Sequence, residues 1–250
     1  MLILLPPSET KRDGGVDATA LELGALSFSE LTKPRAAALH SLKRLARNLT
    51  AATAALGLGP TQRFEVQRNR EVMTSPLLPA IDRYTGVLYD ALDAGSFTEA
   101  EGRFAADHLI IHSALFGLLR AVDPIPAYRL SHDSRLLGIS LRRHWRDAIA
   151  AVLAAQTGLI LDLRSESYVA LGPAPVRPNS VYLRVVSETS GGRRKALTHF
   201  NKKGKGEFVR ALVTAGIDHD CLDSLLAWAA AGGIRLAPAG DGQLDLVVQP

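Results

Sequence analysis

One cysteine, Cys221, in 250 residues leaves the chain unable to close an internal disulfide. No stretch approaches the roughly 20 apolar residues that a membrane-spanning helix needs. The opening MLILLPPSE lacks both the basic start and the long apolar core of a secretory signal. The sequence holds no Walker A motif and no GxGxxG, which removes the usual signatures of nucleotide cofactors. Internal repeats, linkers and low-complexity tracts are also missing. These absences point to a cytoplasmic protein with no membrane partner and no expected cofactor. What is present is ordinary globular composition, 47% hydrophobic and 22% charged, with a net charge of +4. A sequence pI near 9.4 marks an excess of base that permits an anionic partner without requiring one.

The pattern along the chain reads as α+β. Leu2 to Leu5 is a buried strand, closed by Pro6-Pro7, that delivers Ser8–Gly15 as a loop. Pro34 opens a helix expected to run to Gly57, with Leu39, Leu42, Leu45, Leu49 and Leu56 on one side. Arg35, Lys43, Arg44 and Arg47 fall off that stripe and read as its solvated face. Residues 60–76 are polar and without a clear period. A second helix is expected through Leu77, Ile81, Tyr84 and Leu88. Thr98-Glu99-Ala100-Glu101 fits a capping box, and residues 109–113 read as a strand entering a tight turn. Pro124 and Pro126 force an extended segment into AYRLSH. Ser140 is expected to cap a helix that buries Trp145, Ile149 and Val152 and stops at Gly158. LILDL is a strand; VYLRVVSE and RRKALTHF form a hairpin; helices are expected at about 205–215 and 220–231. A last hairpin turns at Asp241-Gly242. One compact domain over residues 1–250, with a mixed sheet, several helices and two late β-hairpins, is the expectation.

Four patterns could carry chemistry. Ser8-Glu9-Thr10-Lys11 matches Ser-x-x-Lys, in which a lysine one helical turn away takes the serine proton, but the Ser-Asp-Asn and Lys-Thr-Gly partners are missing. Lys11 is better read as a loop cation that grips an anion. His108 and His112, four apart, have a possible metal spacing, yet no HExxH and no third ligand accompany them, so no metal is expected. In AVDPIPAYRLSH the prolines hold Tyr128 and Arg129 in an extended segment. In HFNKKGKGEFVRAL, Lys202, Lys203 and Lys205 flank glycines where a helix begins, so ammonium groups and free backbone N–H groups could converge on one anion. Beyond Phe200 the chain offers little aromatic material near those lysines, which leaves little for base stacking.

Taken together these blocks resemble the bacterial peroxide stress protein YaaA family. The resemblance lies in MLILLPPSETK, HLIIHSALFGLLRAVDPIPAYRL, LRRHW, LDLRSESYVAL and HFNKKGKGEFVRAL, in the family's order and over nearly the whole chain. It implies an α+β fold with a basic cleft and a helix–hairpin–helix-like element, and cytosolic action during hydrogen peroxide stress that limits iron-driven damage. DNA binding is attributed to the family. Arg120, Tyr128 and Arg129 fall in one family block, Ser165, Glu166 and Tyr168 in another, and Lys202, Lys205 and Gly206 in a third. Lys205 stands where an arginine is usual, Ala121 where a proline is usual, and Ala215–Asp218 lacks the second glycine of a DNA-binding hairpin.

Two functions remain open from sequence. One is a stress protein that binds nucleic acid or another phosphate-bearing anion through Lys11, Arg120, Arg129, Lys202, Lys203, Lys205 and Arg210. The other is an enzyme acting on a small anionic substrate such as a nucleotide or nucleobase derivative, with Tyr128, Glu166 or His199 moving protons. Both require Lys11, Arg129, Glu166 and Lys202 to meet at one cleft. A groove open across one face would favour the first, and a pocket lined by both signs the second.

Overall fold

A computed structural model describes residues 1–16, 20–188, 194–196, 200–240 and 242–248. The strands among them are β1 (Leu2–Leu5), β2 (Leu78–Pro79), β3 (Leu109–Ser113), β4 (Gly117–Arg120), β5 (Pro124–Ile125), β6 (Ile160–Asp162), β7 (Ser180–Glu188), β8 (Arg194–Ala196), β9 (Leu236–Pro238) and β10 (Gln243–Val248). The helices are α1 (Thr32–Ala46), α2 (Leu49–Ala55), α3 (Phe64–Arg70), α4 (Ala80–Arg83), α5 (Val87–Leu92), α6 (Glu99–His108), α7 (Leu141–Ala154), α8 (Glu166–Val169), α9 (Phe200–Ala215) and α10 (Leu222–Ala231).

The fold is α+β around one mixed sheet ordered β4-β3-β1-β6-β7-β10-β9, with β8 on β7 and a separate β2-β5 pair. Five central strands, β3, β1, β6, β7 and β10, run parallel, while β4, β8 and β9 attach antiparallel. Strand β1 is apolar at every position because both its faces are covered; Ile3, Leu4 and Leu5 are fully buried. From β1 the chain pairs first on one side, with β3, and later on the other, with β6. Strand order therefore reverses between β1 and β6. In open parallel sheets such a reversal leaves a crevice at the carboxyl ends of the two strands.

The expected strands at 2–5 and 109–113, the Thr98–Glu101 capping box and both late hairpins are all observed; Asp241 and residues 190–192 lie outside the described residues. Other expectations need correction. The helix after Pro34 stops at Ala46, and a new one starts at Asn48, whose side chain accepts from the Ala51 N–H. An unbroken leucine stripe hid that restart. Arg35 is wholly buried instead of solvated, donating to the carbonyls of Leu26, Ser27, Phe116 and Leu118. The pattern at Leu77–Leu88 is divided between β2, α4 and α5 instead of forming one helix. Within the polar stretch 60–76 lies α3, which buries Glu65, Val66 and Asn69. Ser140 makes no side-chain cap, and α7 ends at Ala154, before Gly158.

Helix α9 begins at Phe200, five residues earlier than expected. Gly204 and Gly206 therefore lie inside the helix, where their N–H groups serve helical bonds and not an anion. Their role is close packing. A Cβ on Gly206 would meet the backbone of Leu88 in α5, and one on Gly204 would press on Val185 of β7.

Candidate functional site

The crevice between β1 and β6 is a cavity of about 820 Å³. The loop after β1 supplies Pro6 to Thr10, the start of α5 supplies Gly86 to Tyr89, the segment after Pro126 supplies Leu130 to His132, and α8 supplies Glu166 to Tyr168. Tyr182 of β7 and Asn201, Lys202 and Lys205 of α9 close it. Its volume falls in the range of small-molecule sites, roughly 300–1,000 Å³. Both charge signs reach its surface, through Glu9, Glu166, Lys202 and Lys205. Aromatic rings do too: Tyr89, Tyr168, Tyr182 and His132.

Local sequence explains the walls. At the end of β6, Asp162 receives a two-pronged bond from Arg164, at 2.8 and 2.6 Å, and also accepts the Arg164 N–H. Arg164 then donates to the Gly172 carbonyl and to Nδ1 of His112. All three side chains are buried, so this short arginine-centred turn fixes where α8 starts. Burial and the Arg164 charge hold the His112 pKa well below the usual histidine range, and its imidazole is neutral. Tyr168 stands edge-on to both His112 and His132. Lys205 donates to the Leu163 carbonyl at 2.8 Å, and burial lowers its pKa to about 8.

A second layer lies behind the loop after β1. Lys11 is 7% exposed, with Nζ 4.2 Å from the centre of the Tyr128 ring and 5.2 Å from that of Tyr84. It donates to the carbonyls of Ser8 and Glu9. Burial lowers its pKa to about 7; the Arg129 charge adds to this and Glu65 opposes it. Beneath it the hydroxyls of Tyr84, Tyr128 and Ser113 form a buried chain with links of 2.7 Å, and burial pushes the Tyr128 pKa up to about 12. Arg129 is held by Asn69 of α3, which bonds both its N–H and its carbonyl at 2.8 Å. The Arg129 guanidinium donates to Glu9 Oε2 at 2.7 Å.

The expected site residues thus separate into groups. Lys202, Lys205 and Glu166 line the cavity; Lys11 and Arg129 stand directly behind its Ser8–Glu9 wall. Tyr128 is buried in the hydroxyl chain. Arg120 donates to the carbonyls of Ala106 and Asp107, Arg210 pairs with Glu101, and Lys203 pairs with Glu207; none of these three lines the cavity. His199 lies outside the described residues. Lys11 meets the Ser8 carbonyl, and the Ser8 hydroxyl faces Thr10, so the Ser-x-x-Lys match forms no nucleophile pair. His108 ends α6 and bonds the Met1 carbonyl, while His112 lies in β3; the four-residue spacing does not put them on one helix face. Among the described residues no group of three His, Cys, Asp or Glu side chains could hold a metal ion. Nor is any helix there long and apolar enough to cross a membrane. Sequence reading missed Asn69, Arg164 and, Tyr168 apart, the aromatic lining. The Asp-Leu-Arg spacing in LDLRSES, which lets an arginine fold back on the aspartate two residues before it, was the signal available for Arg164.

Residues 1–232 match the family model described as peroxide stress protein YaaA. A UPF0246 protein of Corynebacterium glutamicum strain R is 41% identical over 239 residues, covering 94% of each chain. One from Corynebacterium efficiens is 44% identical over 220 residues, 86% of each. One from Streptomyces coelicolor is 43% identical over 222 residues, 86% of this chain and 84% of that one.

Proposed function

The chain belongs to the peroxide stress protein YaaA family, and from that footing we propose that it binds a small anionic molecule carrying a planar ring, of nucleotide or nucleobase type, in the cavity between β1 and β6. The observation that carries this is the joint lining: cations, carboxylates and aromatic rings around a space of small-molecule size. Tyr89, Tyr168, Tyr182 and His132 suit a ring, and Lys202 and Lys205 suit its anionic group. Of the proton-transfer candidates among the described residues, Tyr128 and Glu166, it is Glu166 that lines the cavity, so it is assigned that role if the bound molecule is transformed. The setting is the cytoplasm during hydrogen peroxide stress, with the limitation of iron-driven damage as the outcome. Nucleic acid is a second ligand class, favoured by one feature: Lys202 and the exposed Lys203 share the first turn of α9, at the cavity mouth.

Calorimetric titration with the four nucleoside monophosphates and their nucleosides tests the proposal. A monophosphate is expected to bind at least about tenfold tighter than its nucleoside, a difference of about 1.4 kcal/mol. Lys202→Ala and Lys205→Met should each remove most of that margin. Equal binding of both forms, or none at millimolar concentration, would defeat it.

A further inference from the structure

Among the described residues four arginines are buried or nearly so, and three of them have most of their donors paired. Arg35, Arg83 and Arg164 each make four side-chain hydrogen bonds to carbonyls, carboxylates or a histidine nitrogen. Arg129 differs. It is 7% exposed, yet its guanidinium makes one bond, to Glu9, and its Nε is buried without a partner. A buried donor left unpaired is costly, and a guanidinium offers five donors in a rigid fork suited to oxyanions.

The partner of Arg129 is also unusual. The Glu9 side chain is 65% exposed and lies on the cavity wall, whereas the arginine it meets is fixed. Asn69 clasps the Arg129 backbone from both sides, and Lys11 is wedged on two tyrosine rings next to it. The nearby carboxylate Glu65 is already bonded to Arg68. A fixed guanidinium, with the Lys11 amine beside it, therefore meets one loosely held carboxylate, on a surface where a ligand is proposed to sit.

We infer that Arg129 and Lys11 form an oxyanion seat that Glu9 fills from within the chain, and that a carboxylate or phosphate group of the bound molecule takes the seat by displacing Glu9. This rests on the cavity being a small-molecule site and adds to it a second anionic contact, across the cavity wall from Lys202 and Lys205. It also gives Glu9 a gating role: the carboxylate competes with the ligand and keeps adventitious anions from occupying the buried guanidinium. The competition weakens apparent affinity by the fraction of time the seat is filled.

Glu9→Gln tests the idea, because it keeps size and removes the competing charge at an exposed loop position that does not threaten folding. Titrating native protein and variant with inorganic phosphate and with acetate, the variant is expected to bind at least one of them about tenfold more tightly, as it would if Glu9 filled the seat about nine-tenths of the time. The oxyanion that gains more identifies the group the seat accepts. Adding Arg129→Gln to Glu9→Gln should abolish the gain. Unchanged or weaker oxyanion binding in Glu9→Gln overturns the seat; nucleoside monophosphate binding in the same samples shows whether the cavity proposal survives it. Failure of every anion to bind either protein removes both.

Discussion

Gly206 of α9 lies so close to Leu88 of α5 that a Cβ built on it would stand 2.3 Å from the Leu88 carbonyl oxygen. The obstacle is backbone, which cannot rotate aside. Gly206→Ala is therefore expected to push α9 off α5 and to cost about 1–3 kcal/mol, as overpacked substitutions do. A urea midpoint that falls with an unchanged m-value would register this. Because α9 carries Lys202 and Lys205, anion binding should weaken in the same variant.

Lys11 links stability to pH. Its pKa is about 7 in the folded protein against an ordinary value of 10.5. Between those values the unfolded chain holds a proton that the folded chain has shed, so stability rises with pH there, by up to about 1.4 kcal/mol per unit. Lys205, at about 8, acts in the same direction. The groups acting on Lys11 are Glu65, Arg129, Glu9 and Arg68, with Tyr84 and Tyr128 under its ammonium. Melting temperature is expected to climb from pH 7 to 9.5, and Lys11→Met should flatten the climb. A native curve that falls over this range would contradict the assignment.

The Tyr128 hydroxyl belongs to the architecture. Ser113 Oγ accepts the N–H groups of Leu115 and Phe116, so its own hydrogen goes to Tyr128, whose hydroxyl is also bonded to that of Tyr84. Tyr128→Phe leaves two buried hydroxyls short of a partner and should cost about 1–3 kcal/mol. Tyr84→Phe combined with Tyr128→Phe should cost less than the sum of the single changes. Nucleotide affinity should not change. Additive losses would show that the hydroxyls do not act as a chain.

Duplex DNA is expected to bind weakly. Of Lys202, Lys203, Lys205 and Arg210, Lys205 is buried on the Leu163 carbonyl and Arg210 is engaged by Glu101. Two lysines on one helical turn correspond to a slope of log affinity against log salt near −1.8. A slope twice as steep, shortened by Lys205→Ala, would make nucleic acid the principal ligand.

Much of the scaffold was legible because its signals are local. Leu2–Leu5, the Thr98–Glu101 box and the hairpins each announce themselves within ten residues. The parallel centre was not legible, since pairing of β1 with residues 109–111 and 160–162 leaves no local trace. The expectation that Lys11, Arg129, Glu166 and Lys202 meet rested on each lying beyond an element's end, whereas Glu166 opens α8 and Lys202 lies within α9. The interior roles escaped for a different reason. An arginine such as Arg35 looks solvated until backbone carbonyls from elsewhere surround it, and Asn69 is one polar residue among many in 60–76. The glycines of KKGKGE suggested an anion loop because a helix-packing glycine and a loop glycine read alike in one sequence.

Strand β1 also sets an order of events at the ribosome. Its four apolar residues emerge well before the two strands that flank them in the sheet, β3 and β6, and the second flank ends at Asp162. At bacterial elongation rates of about 5–20 residues per second, that flank follows roughly 8–30 s later. Throughout that interval Leu2–Leu5 keeps at least one unpaired, wholly apolar edge, the kind of segment that associates with its own kind. Nascent chains therefore have to be shielded at this strand until Asp162 has been made.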